Sequence, residues 1–236
     1  MLDEIPLNDI PWSEKKNAAI WRGALTGMKR AGFRVFQESL RDKSKYSMCQ
    51  NLQRCRLVYN YANSSLVNAS ITGVLMYHPH NMIEGPVIPE VLNGVRLYGS
   101  RLSYDVLLQY KALIMLEGND ISSGLKWALY SKSVVLAQVS LYTSWAMEEL
   151  LEPWVHFVPL ADDLSDVHEK MQWVLDHDEE AERIAHAGTL WISDLIFHPD
   201  AASDEEAVFD ETFIRYKQHF VHSPDLTGER LIQQEV

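Results

Sequence analysis

Residues 112–138 read ALIMLEGNDISSGLKWALYSKSVVLAQ, and this stretch decides the fold. A short apolar run at residues 112–116 is followed by a polar turn with a glycine at residues 117–120. Residues 121–130 are amphipathic, and a second apolar run occupies residues 133–138. This order predicts a strand, a loop, a helix and a second strand parallel to the first.

The loop at residues 117–120 is a candidate ligand site. In an open α/β sheet, ligands bind beyond the carboxyl ends of the strands, where this loop is expected to lie. The loop also precedes the predicted helix, whose first N–H groups suit an anion. The pattern therefore predicts an anionic ligand at this edge of the sheet.

Strand and helix patterns alternate along residues 113–188, which predicts a parallel sheet with covering helices. Further strands are predicted from apolar runs at residues 18–23, 57–61 and 154–158. Helices are predicted at residues 140–152, 167–175, 179–188, 189–197 and 204–220, with Gly188 ending one of them. The many turn-forming residues at 74–99 predict an irregular segment with one short helix at residues 89–92. The pattern at residues 102–111 predicts a short helix or turn.

The composition limits the class of protein. The 236 residues are 47% hydrophobic, enough for one large domain or two small ones with a sizeable core. The formal net charge of -12 disfavours nonspecific nucleic-acid binding, which needs a basic surface. No apolar run approaches the ~20 residues that span a bilayer, and the acidic N-terminus does not resemble a secretory signal. We therefore expect no transmembrane segment and a chain that stays where it is made.

Several common site motifs are absent from the sequence. It contains no G-x-G-x-x-G, no G-x-x-x-x-G-K-[ST], no paired CxxC and no G-x-S-x-G, which argues against dinucleotide, P-loop, zinc and hydrolase sites. His78 and His80 lie beside Pro79 without a third ligand nearby, so a surface loop is preferred to a metal site. Cys49 and Cys55 are interpreted as reduced thiols, with a short-loop disulfide as the less favoured alternative.

Arg22 and Gly23 admit two interpretations of equal weight. The preceding apolar run predicts a strand that enters a loop at residues 22–27. An arginine fork beside glycines that allow close backbone approach suits a phosphate. An arginine paired with a surface carboxylate near an ordinary turn fits the same residues.

Two other stretches are predicted to be structural. The basic run at residues 33–54 is interpreted as a solvated face. Four aromatic residues on one side of the last predicted helix, Phe209, Phe213, Tyr216 and Phe220, are predicted to pack against the core.

Several separated motifs resemble glycosyltransferase family 90, which includes protein O-glucosyltransferases and capsule-associated xylosyltransferases. Residues 11–26, with Pro11-Trp12 and Trp21-Arg22-Gly23-Ala24-Leu25-Thr26, are similar to its Pro-Trp … (Phe/Trp)-Arg-Gly-Ser-x-Thr stretch. Residues 102–111, Glu117-Gly118-Asn119, the helix that follows, residues 153–160 and residues 163–167 match in the same order. The resemblance covers residues 11–188, and the agreement of several motifs in order and spacing makes it specific.

The resemblance implies a two-domain GT-B architecture and a UDP-sugar donor used without a metal or other cofactor. It places Arg22 and Gly23 near the donor diphosphate, with Thr26 close by. It makes Glu117, Gly118, Asn119 and Ser122 the loop and helix start beside the nucleotide sugar. Analogy at the level of fold places Glu148 on the ribose hydroxyls, and Lys126 either adds charge or extends to solvent.

Two residues depart from the family pattern. Ala24 replaces the serine of Arg-Gly-Ser, and Gly124 stands where many members carry an arginine. The family's catalytic aspartate and acceptor-side domain lie upstream of the Pro-Trp motif, so the resemblance implies no catalytic residue within this chain.

The predicted function is transfer of glucose or xylose from a UDP-sugar to a hydroxyl of a protein or glycan. The alternative is a catalytically degenerate nucleotide-sugar-binding or interaction module. Predicted divisions are residues 1–100, an incomplete linking portion with the Trp-Arg-Gly loop; residues 101–197, a Rossmann-like donor-binding core; and residues 198–236, a helix and polar tail. A longer eukaryotic family member would work in the endomembrane lumen, and a chain without a targeting signal in the cytoplasm.

Overall fold

A computed structural model describes residues 2–26, 44–74 and 88–220. The chain divides into two compact units, Met1–Ser193 and Asp194–Val236. Among the residues that the structure describes, no helix combines the length and apolar composition needed to cross a bilayer.

The first unit is built on a parallel sheet of five strands. These strands are β1 (Lys16–Leu25), β2 (Val67–Val74), β5 (Tyr110–Met115), β6 (Val134–Ala137) and β7 (Val158–Pro159). Their spatial order is β2-β1-β5-β6-β7, and every neighbouring pair is parallel. The short strands β3 (Val91–Leu92) and β4 (Val95–Arg96) form a separate antiparallel hairpin.

Eight α-helices are found in the described part of the chain. They are α1 (Ile5–Asn8), α2 (Lys45–Asn51), α3 (Gln53–Asn60), α4 (Tyr104–Leu107), α5 (Leu125–Leu129), α6 (Val167–Asp176), α7 (Asp178–Phe197) and α8 (Ala201–His219). Helices α1 to α6 and most of α7 belong to the first unit, and α8 belongs to the second. The predicted α/β fold, a parallel sheet with flanking helices, is confirmed.

The central strands are apolar because they lie inside the unit. All four residues of β6 are buried, and β5 has four consecutive buried residues. Near-continuous apolar runs are typical of parallel strands covered on both faces. Trp21, Ile114 and Leu136 from the strands share one core cluster with Leu57 of α3 and Val174 of α6.

The strand predicted at residues 57–61 is wrong, because these residues belong to helix α3 and its C-cap. A short apolar run does not distinguish a strand from one turn of a buried helix. Cys55, Leu57 and Val58 are all buried, so one side of α3 packs into the core. The helix predicted at residues 89–92 is also wrong, since these residues enter the β3–β4 hairpin.

The helix predicted at residues 140–152 is wrong as well. Only a single 3-10 turn forms there, at Glu148–Leu150. Met147, just before it, has a φ of 49°, in the left-handed region that interrupts a right-handed helix. The strand predicted at residues 154–158 shortens to β7, because Trp154 also has a positive φ, 66°.

Two predicted helix boundaries differ from the structure. The helix predicted at residues 121–130 is the five-residue α5, which begins three residues after Ser122. The helices predicted at residues 179–188 and 189–197 form the single helix α7, so Gly188 does not end a helix. A Cβ at Gly188 would lie 3.0 Å from Leu129 Cδ2 and 3.1 Å from the His156 carbonyl oxygen. This glycine therefore serves close packing in the middle of α7.

Three structural expectations have different outcomes. Cys49 and Cys55 form a disulfide, so the preferred interpretation as reduced thiols is wrong. The aromatic stripe on α8 does not pack into a core: its four side chains are 50–68% exposed and stack in pairs along the helix. His78, His80 and residues 33–43 of the basic run lie outside the described residues.

Candidate functional site

The order of the strands reverses between β1 and β5. The chain passes from β1 to β2 on one side, and then continues on the other side of β1 with β5, β6 and β7. In open parallel sheets, the ligand crevice lies at such a reversal, outside the carboxyl ends of the strands. The last paired residues of β1 and β5 are Ile20 and Leu113, before the carboxyl ends of both strands.

Thr26 and Gly118 meet at this crevice. Thr26 follows β1 directly, and Gly118 lies in the loop after β5. A Cβ at Gly118 would lie 2.8 Å from Thr26 Oγ1, so only a glycine allows the present approach of the two segments. The fold therefore brings together two predicted site residues that are far apart in sequence.

Glu117 joins three segments at the same edge. Its side chain is buried, and Oε1 accepts a hydrogen bond of 2.8 Å from the Leu141 N–H. Its carbonyl oxygen accepts a 2.8 Å bond from Gln53 Nε2 of α3. A turn follows, in which the Gly118 N–H donates to the Asp120 carbonyl and half-buried Asn119 lies between them.

Arg54 is a cation at the crevice that the sequence did not single out. Its Nη1 donates to the Ala24 carbonyl and its Nη2 to the Leu116 carbonyl, both at 2.8 Å. Burial lowers the pKa of Arg54 to about 10, against the opposing charge of Asp120, so the guanidinium stays protonated at neutral pH. The prediction of a solvated face at residues 33–54 is therefore wrong for this arginine.

Ser122 lies beside the edge and lines a small cavity. Glu117 and Gln138 contribute to the same cavity, whose volume is about 10 Å³. This volume is about that of one water molecule. A sugar would have to lie on the open side of the crevice.

Lys126 and Glu148 form a buried ion pair next to this edge. Lys126 Nζ lies 2.8 Å from Glu148 Oε1, and both side chains are more than 90% buried. The N–H and the hydroxyl of Ser144 also donate to the Glu148 carboxylate, at 2.7–3.0 Å. Burial alone would raise the pKa of Glu148, but the hydrogen bonds from Lys126 and Ser144 prevail and lower it. Of the two expectations for Lys126, extension to solvent is therefore wrong.

Arg22 and Gly23 lie within β1, so the loop predicted to begin at residue 22 is wrong for residues 22–25, and both residues are separated from this group. Arg22 Nη1 donates to the carbonyls of Trp21 and Asn68, and Nη2 donates to Asn68 Oδ1. Burial lowers the pKa of Arg22. A Cβ at Gly23 would lie 2.7 Å from the Trp21 ring, so this glycine makes room for a core side chain.

Asn68 also lines a groove with a volume of about 530 Å³. Lys16, Asn68 and Tyr110 place this groove at the amino ends of β1, β2 and β5. The structure thus brings Thr26, Glu117 and Gly118 together and does not place the Arg22 side chain with them. The predicted role of Arg22 at a diphosphate stays a prediction.

Sequence reasoning missed Gln53 and Arg54 because it assigned them to a surface run. Both belong to α3, whose first residues reach across to β1 and β5. The usable signal was their position between two cysteines, directly before the apolar run at residues 57–61. In the described ranges, no group of three His, Cys, Asp or Glu side chains is placed to hold a metal ion.

Comparisons with known proteins agree on one family. Residues 6–198 match the family model described as glycosyl transferase family 90. The chain is 31% identical over 177 residues to protein O-glucosyltransferase 2 of Danio rerio, which covers 75% of this chain and 28% of that protein. It is 38% identical over 86 residues to O-glucosyltransferase LpsA of Dichelobacter nodosus, which covers 36% of this chain and 27% of that protein.

Human protein O-glucosyltransferase 3 is 31% identical over 134 residues, covering 57% of this chain and 24% of that protein. The chain therefore spans about a quarter of the length of these curated relatives. A solved sucrose-phosphate synthase from Thermosynechococcus elongatus aligns with a TM-score of 0.46 at 13% identity, over 90% of this chain and 48% of that chain. The match of the family model to most of the chain shows that it belongs to glycosyl transferase family 90.

Proposed function

We propose that this chain forms the donor-binding portion of a glycosyltransferase. The enzyme would transfer glucose or xylose from a UDP-sugar to a hydroxyl group of a protein or glycan. The observation that carries the proposal is the crevice between β1 and β5, where the strand order reverses. Thr26 and the donor loop, which we define as residues 117–120, line the two sides of this crevice.

The chemistry of the crevice suits a departing diphosphate. A transferase that uses no metal must stabilise the developing negative charge with fixed cations and N–H or O–H dipoles. Arg54 provides a fixed positive charge, because hydrogen bonds to Ala24 and Leu116 hold its guanidinium in place. The Thr26 hydroxyl is a donor beside it, and Gly118 lets the donor loop approach closely.

The remaining predicted residues have supporting roles in this proposal. Glu117 ties the donor loop to the segment after β6 through the Leu141 N–H. Lys126 and Glu148 fix α5 against the Glu148–Leu150 turn. Activation of the acceptor hydroxyl requires a general base, and we assign that role to no residue of this chain.

The test is a titration with UDP, UDP-glucose, UDP-xylose and UDP-galactose. Calorimetry measures the affinity, and thermal shift measures the change in unfolding temperature. A ligand that binds only the folded state raises the unfolding temperature. We expect UDP to bind with a Kd in the micromolar to millimolar range that is usual for metabolites, about 1 μM to 1 mM. Absence of UDP binding at millimolar ligand would refute the proposal.

Thr26→Val tests the crevice itself. The substitution keeps the shape of the side chain and removes the hydroxyl. A hydrogen bond from this hydroxyl to a charged phosphate would contribute ~1.5–3 kcal/mol. We therefore expect UDP affinity to fall by roughly tenfold or more. Thr72→Val, on the half-buried part of β2, is the matched control and leaves the affinity unchanged. Arg22→Ala in the same series decides whether Arg22 contributes to UDP binding, because only a contributing side chain lowers the affinity when it is removed.

A specific observation favours the alternative of a degenerate module. At Gly124, where many family members carry an arginine, a Cβ would lie 3.2 Å from Met115 Sδ and 3.3 Å from Trp127 Nε1. A longer side chain would therefore have to displace one of these neighbours. A chain that binds UDP-sugars but neither transfers nor hydrolyses the sugar would support this second function.

A further inference from the structure

We propose that Arg54 and Gln53 are positioning residues for the donor loop, and that the Cys49–Cys55 disulfide holds them in place. This inference rests on the proposed function, which assigns residues 117–120 to the UDP-sugar. The three features lie in one short segment of the chain, the junction of α2 and α3.

The junction is a sharp bend fixed by burial and by a covalent bond. Leu52 separates the two helices with an extended ψ of 104° and is fully buried. The disulfide between Cys49 and Cys55 spans this bend, and both cysteines are fully buried. Gln53 and Arg54 lie inside the small ring that the disulfide closes. The directions in which their side chains leave the bend are therefore restrained from both ends.

Arg54 connects the two strands at the point where their pairing has ended. The ladder between β1 and β5 stops at Ile20 and Leu113. The carbonyls that Arg54 binds, at Ala24 and Leu116, lie beyond that point, next to Thr26 and the donor loop. A planar guanidinium donates to two acceptors from separate nitrogens held in a rigid fork, whereas an ammonium donates from a single nitrogen. Arg54 therefore sets the width of the crevice.

Gln53 and Gly118 extend the same contact to the donor loop. Gln53 Nε2 donates to the Glu117 carbonyl at 2.8 Å, one residue before Gly118. A Cβ at Gly118 would lie 3.0 Å from Arg54 Nη2, so the loop packs directly on the guanidinium. Displacement of the α2–α3 junction would move Gln53 and Arg54, which both hold the donor loop, at the same time.

The experiment measures UDP affinity and amide hydrogen exchange of Arg54→Ala in the full chain. We expect UDP affinity to fall by about tenfold or more, because small displacements of positioning groups have effects of this size. The amides of residues 117–120 are expected to exchange faster, while those of β6 keep their protection. Val58→Ala is the matched control: it removes buried volume from the same helix and lowers the unfolding temperature without changing UDP affinity.

Arg54→Lys distinguishes positioning from charge. The variant keeps a positive charge but lacks the rigid fork of two nitrogens that spans the Ala24 and Leu116 carbonyls, so we expect the loss of affinity to persist. Full recovery of affinity in this variant would overturn the positioning role. Gln53→Ala removes one contact only and gives a smaller loss in the same direction, which keeps the test valid if Arg54→Ala does not fold.

Reduction of the disulfide tests the third feature. We expect the reduced wild-type chain to lose UDP affinity, and Arg54→Ala to lose little more on reduction, because both changes act on the same contact. Independent, additive losses would overturn the role of the disulfide. If the wild-type chain does not bind UDP, the proposed function fails, and hydrogen exchange at residues 117–120 still decides whether Arg54 holds this loop.

Discussion

At the scale of single residues, the Lys126–Glu148 pair shows how this edge of the sheet is made rigid. Both side chains are buried, so their charges have lost most of their hydration, and the loss is offset only when every polar atom finds a partner. Lys126 and Ser144 supply those partners for the Glu148 carboxylate. The pair fixes a turn after β6 in which an α-helix does not form.

Glu148→Gln is expected to lower the free energy of unfolding by about 3 kcal/mol, since loss of one partner leaves a buried charge uncompensated. The measurement is chemical denaturation at neutral pH. Glu90→Gln is the control, because Glu90 pairs with Arg96 in solvent, and exposed pairs contribute about 1 kcal/mol or less. Equal losses in the two variants would show that burial does not distinguish the pairs.

The same variant has a defined pH dependence. The pKa of Glu148 is lowered in the folded chain, so the carboxylate contributes stability that is present above the ordinary glutamate value of 4.5. This stability is lost as the pH falls through the lowered pKa of the folded state. The difference in unfolding free energy between wild type and Glu148→Gln is therefore expected to shrink below pH 4.5. A difference that stays constant into strong acid would contradict the assignment.

At the scale of elements, the sequence predicted the strands and helices whose hydrophobic pattern follows from the burial of their own residues. β5 and β6 are buried apolar runs, the middle of β1 is buried as well, and α6 buries Val167, Met171 and Val174 at helical spacing. The elements that it missed depend on distant partners. The α3 helix is held by a disulfide and by contacts with β1 and β5, and the loop after β6 by an ion pair with α5.

The candidate site divides in the same way. Glu117 and Gly118 follow a strand end, and the rule that ligands bind at carboxyl ends locates them from sequence. Thr26 was expected near the donor from the family resemblance alone. Arg54 contacts carbonyls 30 and 62 residues away, and its position between two cysteines does not identify these partners. The sequence marks Gly188 as a special position but does not give the reason for a glycine there. Gly188 suggested a helix end, whereas its role is packing within α7.

Gly188→Val tests that role in the longest helix of the first unit. The added side chain would meet Leu129 and the His156 carbonyl, and overpacking of this kind costs about 1–3 kcal/mol. We expect a lower unfolding free energy in chemical denaturation. Ala187→Val, one residue away at a half-buried position, adds the same β-branched group and costs only about 0.5 kcal/mol of helix propensity. A stabilising Gly188→Val would show that the helix moves freely to accept the side chain.

At the scale of the whole molecule, the topology determines where the chemistry occurs. One reversal of strand order places the ends of β1 and β5 side by side, and the predicted donor loop follows one of those ends. Helix α8 of the second unit contains no buried residue, and its aromatic side chains stack in pairs along the helix.

This division predicts that the first unit is sufficient for donor binding. A chain that ends at His198, where the family match also ends, is expected to keep the unfolding temperature and UDP affinity of the full chain. The reason is that the buried core and the crevice both lie in Met1–Ser193. A chain that ends at Asp176 is the control: it loses α7, with buried Ala181, Ile184 and Ile192, and is expected to unfold. Loss of UDP affinity on removal of residues 199–236 alone would show that α8 belongs to the donor site, and that the crevice between β1 and β5 is not sufficient.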